Sequence, residues 1–210
     1  MNFPVDLMTL AAFVPAGLAL NLTPGADMMF VLAQGLRGGP RAGMAANLGI
    51  AAGCLVHVLV AALGLAALLR AHPAAFELVR WAGVAWLLWL AFKAWRAGAP
   101  QMVRVGAAVA PLRIFREALL VNLLNPKVAL FILAFLPQFI QPARPVMAQF
   151  AILGLVFCLG GLLINGAVAA FSGRIGGWLA GSERVARGLN RISAGVFAAL
   201  ALRLAVMERG

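Results

Sequence analysis

The feature that most restricts this chain is a succession of apolar stretches, each about long enough to cross a bilayer, with basic residues gathered at the joints. A spanning helix needs about 20 mostly apolar residues. Six such stretches are read here: Leu7–Leu36, Ala42–Leu69, Phe76–Trp95, Ile114–Ile140, Val146–Phe171 and Leu189–Met207. Composition agrees, since 64% of the 210 residues are hydrophobic and 11% charged, against about half and about a quarter in a soluble domain. A globule this small has too little interior to hide that much apolar surface. The expected fold is an all-α integral membrane protein largely solvated by lipid.

The net charge of +11 suggests nucleic acid only until the basic residues are located. They form short clusters between apolar stretches and never interleave with aromatics, so no nucleic-acid partner is expected. Loop charge orients the chain instead. The first, third and fifth joints hold eleven basic residues (Arg37 and Arg41; Lys93, Arg96, Arg104, Arg113 and Arg116; Arg174, Arg184, Arg187 and Arg191), against five on the other side. The odd joints are therefore expected in the cytoplasm and both termini outside. Residues 1–6 carry no Lys or Arg, so the first stretch is expected to stay as a membrane helix. Trp81 and Trp95, ~21 Å apart at helical rise, suit the two aromatic rims of a bilayer. Glu77 and Arg80, one turn apart, are expected to pair at the outer rim.

Two of the six stretches contain helix breakers beside a charge: "NLTPGAD" at Asn21–Asp27 and "NLLNPK" at Asn122–Lys127. Proline removes a helical hydrogen bond and clashes with the preceding turn. In lipid each freed backbone group costs several kcal/mol, so such a break survives only against protein or a watery cavity. Thr23-Pro24 and Asn125-Pro126 both read as restart points, with Thr or Asn as N-cap and proline at the first helical position. Each restart would aim unpaired N–H groups and a helix dipole at the break, a seat for a carboxylate. Gly25 completes the first break. An ion deep in a membrane is expensive and is usually functional or paired. Asp27 is therefore expected to meet an ammonium or carry a proton, and Lys127 a carboxylate; the alternative is a neutralising salt bridge between them. Asn21 and Asn122 either satisfy freed carbonyls or touch substrate.

The two halves resemble each other. "NLTPGAD" is echoed by "NLLNPK", "GGPRAGMA" by "QPARPVMA" and "WAGVAWLLWLA" by "SAGVFAALALR", at offsets growing from about 101 to 112 residues. Three stretches per half would insert the second copy upside down, so a 3+3 inverted repeat with broken first and fourth helices is expected, a frequent transporter architecture. The first repeat would cover residues 1–97, a cytoplasmic linker 98–113 and the second repeat 114–210. Gly49, Gly53 and His57 share one helical face; the glycines allow close packing. His57 reads first as a packing residue, and its titration range makes it a candidate proton relay. Gly154, Cys158, Gly161 and Asn165 share a face of the fifth stretch, where Asn165 is expected to bond a neighbouring helix. Glu117 reads as a helix-start acid beside Arg113 and Arg116. Cys54 and Cys158 are expected to be free, buried and inert, and no metal site or cofactor has the residues it needs.

At these motifs the chain resembles the LysE/RhtB family of bacterial amino-acid exporters. The resemblance runs nearly end to end and is strongest in "TPGADMMFVLAQGLRGGPRAGMAANLGIAAGCLVH" and "NLLNPKVALFILAFLPQF". The family pattern Pro-Gly-Pro-Asp is matched by Pro24, Gly25 and Asp27, with Ala26 in place of the second proline. Gly43, Gly49, Gly53, His57, Asn125-Pro126-Lys127 and Pro137-Gln138-Phe139 fall where the family has them. The resemblance implies proton-driven efflux of amino acids or related metabolites across the bacterial cytoplasmic membrane. The substrate would be a small zwitterion and the protein no enzyme. No G-x-x-x-x-G-K-[ST] loop is present, which agrees with secondary transport. A homodimer through small-residue faces is compatible with the pattern. Two other classes stand beside this one: a membrane thiol-disulfide carrier using Cys54 and Cys158, whose distance from the prolines argues against it, and an inorganic ion exporter, poorly supplied with soft ligands.

Overall fold

The computed structural model describes residues 4–71, 75–96, 110–141, 143–174 and 183–206. Among these residues every regular element is helical. The order is α1 (Leu7–Leu22), α2 (Ala26–Ala71), α3 (Ala75–Arg96), α4 (Pro111–Leu123), α5 (Pro126–Leu130), α6 (Val146–Ala170) and α7 (Glu183–Val206). Between α5 and α6 the chain widens through a π turn, Phe131–Phe135, and then tightens through a 3₁₀ turn, Leu136–Phe139. The fourth expected stretch is therefore less regular than its apolarity predicts. Pro137 has no N–H to continue the ladder, and a π turn accommodates the mismatch.

The predicted breaks after Leu22 and after Leu123 are both present. A third lies inside α2, where Gly38 and Gly39 leave helical geometry and Gly39 takes φ 74°. That left-handed conformation strains any residue with a Cβ, so the "GGP" joint can turn in two residues. Of the expected linker, 98–109 lies outside the described residues, and α4 begins at Pro111, three residues before Ile114. The Glu77–Arg80 pair also lies outside the described side chains.

Two helices among the described residues are long and apolar enough to cross a bilayer alone, Ala26–Gly64 and Val146–Ala170. Pro111–Leu123 and Pro126–Phe139, bent by 50° at their break, make a third as a pair. Leu55, Leu59, Leu63, Leu155, Leu163 and Trp81 are exposed, as lipid-facing side chains can be without penalty. The interior is aromatic: Phe131 stacks on Phe157 at 4.7 Å and on Phe135 at 4.9 Å, and Phe13 meets Phe139 edge-on at 5.2 Å.

α2 packs on α4 and α6, while α3 packs on α7. Close approach of α2 and α4 depends on Gly49 and Gly53. A Cβ at Gly49 would run into the Phe115 carbonyl oxygen, and one at Gly53 would lie 2.7 Å from Asn122 Oδ1. At one end of the bundle Asp6 caps α1 by accepting from Thr9 N at 2.7 Å and receives Gln141 Nε2 at 2.7 Å. The Thr9 backbone, with Gln141 and Arg144 assisting, holds the Asp6 carboxyl below the usual carboxylate range. Arg113 and Glu117 form an exposed pair at 2.9 Å, worth a few tenths of a kcal/mol.

Candidate functional site

The two breaks meet, and each is closed by the other's charged neighbourhood. Lys127, in the first turn of α5, extends its ammonium across the interface and donates to the carbonyls of Leu20 at 3.0 Å and Thr23 at 2.8 Å. These are carbonyls at the end of α1, where intrahelical donors run short: Pro24 has no N–H for Leu20, which receives only a 3.2 Å bond from Thr23 N. A cation at a helix C-terminus also answers the dipole's negative end. Gly25 makes the reach possible, because a Cβ there would sit 3.2 Å from Lys127 Nζ. In the reverse direction Asp27, in the first turn of α2, accepts from Asn122 Nδ2 at 2.8 Å through Oδ2. Asn122 lies in the last turn of α4, directly before the second break.

Neither charge pairs with the other. Asp27 and Lys127 are brought to the same region, yet the ion pairs present among the described residues do not include one between them. The simple neutralising bridge is not the observed arrangement.

Asn125 caps the second restart as expected, its Oδ1 accepting from Lys127 N at 3.0 Å with Pro126 at the first helical position. Thr23 does not cap the first, which corrects the sequence expectation. Its hydroxyl donates back to the Ala19 carbonyl at 2.8 Å and its N–H to the same turn, so Thr23 finishes α1, and α2 begins only at Ala26. A threonine can bond the carbonyl four residues back as readily as an N–H ahead of it. The Thr-Pro pattern does not distinguish the two.

His57 places Nε2 3.1 Å from the Asn122 carbonyl. A carbonyl only accepts, so that nitrogen carries the proton and the imidazole is stitched to the second break. Asn21 bonds α6 rather than a freed carbonyl of its own break, its Nδ2 donating to Phe157 O at 3.1 Å.

Two cavities flank the clasp. The larger, of about 240 Å³, is lined from both breaks by Pro24, Gly25, Asn125, Pro126 and Lys127. Trp89 and Lys93 of α3 and Asn190 and Phe197 of α7 complete it. It offers cationic and apolar wall together. The smaller, of about 20 Å³, lies on the Asp27 side and is walled by Asn21, Asp27, Asn47, Asn122 and Asn165, with Cys54 and Cys158 beside them. No motif marks Asn47 in the sequence, although an amide within an apolar span is itself a signal. Its Nδ2 donates to Leu162 O at 2.9 Å. Asn165, expected to bond a neighbouring helix, instead leaves its buried Oδ1 without a partner.

The cysteines overturn two expectations. Cys54 and Cys158 are joined by a disulfide, with Cα atoms 6.1 Å apart, and they border the chamber that holds Asp27. They are neither free nor remote from the breaks. The cause is simple: 104 residues separate them, and only the packing of α2 on α6 brings the two faces together.

Comparison with known proteins follows the same lines. The family model described as LysE type translocator matches residues 18–208. The homoserine/homoserine lactone efflux protein of Salmonella typhimurium is 32% identical over 187 residues, covering 89% of this chain and 90% of the relative. The leucine efflux protein of Salmonella choleraesuis is 29% identical over 205 residues, covering 93% and 94%. An uncharacterized membrane protein of Vibrio cholerae is 28% identical across 97% of this chain and all of its own length. No solved structure matches the chain.

Proposed function

The chain belongs to the LysE family of translocators, transporters rather than enzymes, and from that premise we propose that it exports amino acids across the bacterial cytoplasmic membrane as a proton-coupled secondary carrier. The substrate lies in the cavity between the two breaks, which works by alternating access. The observation that carries this reading is the mutual clasp of the broken helices, with Lys127 bound to Leu20 and Thr23 at the wall of a cavity of about 240 Å³. That volume fits a small amino acid. Lys127 and Lys93 supply cations for its carboxylate, and the apolar faces of Trp89 and Phe197 meet its side chain.

Direction has its own support. Lys93 and Asn190 lie at the ends of α3 and α7 nearest the odd joints, which the basic-residue count puts in the cytoplasm with both termini outside. A cavity bordered by them is loaded from within, as an exporter requires. The pairing of α2 with α6 and of α3 with α7 is the like-with-like contact that a 3+3 inverted repeat of six spans would make. Asp27, buried behind the first break, is the group that takes up and releases the proton.

The test is a panel of amino acids, scored for growth resistance and for export from loaded cells with and without an uncoupler. Export of at least one amino acid that collapses with the uncoupler is the expected result. Export of none, or export indifferent to the uncoupler, would overturn the reading.

A second reading has one specific observation behind it, the Cys54–Cys158 bond beside the chamber. A thiol-disulfide carrier would need both sulfurs for turnover, whereas an exporter would not.

A further inference from the structure

We infer that the small chamber behind the first break is a seat for a monatomic monovalent cation of sodium size. This deepens the transport reading and rests on it only for its role, since it names a second ion for the carboxylate that the proton occupies.

Apolar residues such as Ile50, Val128 and Phe157 line part of the chamber, and its polar wall is one carboxylate and four amides. Asp27, Asn47, Asn122 and Asn165 are each at most 9% exposed, and each leaves one buried oxygen without a hydrogen-bond partner: Asp27 Oδ1, Asn47 Oδ1, Asn122 Oδ1 and Asn165 Oδ1. Buried polar atoms are nearly always satisfied, so four such oxygens on residues that line one chamber call for an occupant. Two of these amides cannot be turned around. Asn47 Nδ2 donates to the Leu162 carbonyl and Asn122 Nδ2 to the Asp27 carboxylate. The Leu162 carbonyl, and the Asp27 carboxylate while it is ionised, only accept, so the nitrogens face them and the oxygens are left over. Among the described residues no Lys, Arg or His lines the chamber. Lys127 is held away from it by Leu20 and Thr23, and His57 by the Asn122 carbonyl.

Size and charge then select the occupant. A volume of about 20 Å³ is little more than the roughly 10–15 Å³ that one water needs. An amino acid does not fit, and its ammonium could enter only with the rest of the molecule left outside. A proton on Asp27 would donate to one oxygen and leave the others bare. A hard monatomic cation attracts every oxygen at once and needs no directed hydrogens. With a single carboxylate in the wall, one positive charge neutralises the chamber, and a divalent ion would leave it charged in a medium where that is costly. The same carboxylate cannot hold a proton and a sodium ion together, so the two cations compete for it.

The test reads binding without transport. The purified full-length protein in detergent is unfolded thermally while sodium chloride replaces choline chloride at constant ionic strength. A ligand that binds only the folded state raises the melting temperature in a saturable way. Sodium is expected to do so and potassium less. Asp27→Asn is expected to abolish the rise, and Asn165→Ala to increase the half-saturating sodium concentration by about tenfold, the loss typical of one bond to a charged group. Equal melting in sodium and choline would overturn the inference. So would stabilisation by methylammonium chloride where sodium has no effect, which would make the seat one for an organic ammonium. The ion series on the unsubstituted protein decides the matter even if a variant fails to fold. A negative result leaves export at the breaks standing, and absence of export leaves the ion seat standing.

Discussion

At the residue scale, Lys127 closes the first break. Its ammonium binds the Thr23 carbonyl and the Leu20 carbonyl, the latter otherwise held only by a 3.2 Å bond from Thr23 N. Bonds from a charged donor are worth about 1.5–3 kcal/mol each, and in a low-dielectric setting the Thr23 carbonyl left without this donor adds its own penalty. Lys127→Ala should therefore abolish export and also loosen the junction of α1 with α5. Lys127→Arg keeps the charge but replaces a compact ammonium with a planar fork, so it should restore membrane stability better than export. Export assays paired with membrane-fraction blots and melting curves check the split. If Lys127→Ala exported normally, the lysine would have no place in the site.

At the element scale, the design rests on helices that approach as closely as their smallest residues allow. Gly49 lies against the backbone of α4 at Phe115, which cannot swing aside as a side chain can. Gly49→Ala must push α2 and α4 apart and is expected to cost about 1–3 kcal/mol. Gly64, in the same α2, has open space where a methyl group would stand, with nothing within 4 Å. Gly64→Ala should therefore be neutral or stabilising by up to about 1 kcal/mol through helix propensity. Melting of the two single variants in one detergent measures the contrast; similar shifts would mean that the α2–α4 contact does not set stability. The same scale shows what was legible in the sequence. Proline, a charge and an apolar flank mark a break locally, so both interruptions and the Asn125 cap could be read from a few residues. The side on which a residue acts is not local: Thr23 serves the helix behind it, and Asn47 matters only because α6 brings Leu162 and Asn165 alongside. A glycine pair such as Gly38–Gly39 is legible as a joint, but not as one so short that two helices run almost without interruption.

At the scale of the whole molecule, the proposed alternating access would require the two proposed repeats to change their relation while each keeps its own shape. The Cys54–Cys158 bond joins α2 to α6, and so would cross between the proposed repeats. It closes a chain segment of 104 residues, for which the chain-entropy account gives about 4–5 kcal/mol in water. Inserted helices do not disperse as a soluble chain does when they come apart, so the stabilisation in a bilayer should be well below that figure. The bond's larger effect is then on motion. If α2 and α6 part during transport, the bonded protein is held on one side of the cycle. If instead they move as a unit while α3 and α7 swing, the bond rides along unchanged. The Cys54→Ser/Cys158→Ser variant separates these possibilities and the carrier reading in one assay. Export at or above the unsubstituted rate is expected, with the melting temperature lowered by a few degrees. A rise in rate, matched in the unsubstituted protein by adding a membrane-permeant reductant, would identify α2 and α6 as the surfaces that part. Unchanged rates in both would assign the motion elsewhere. Loss of all transport with intact insertion would transfer the function to the sulfurs themselves.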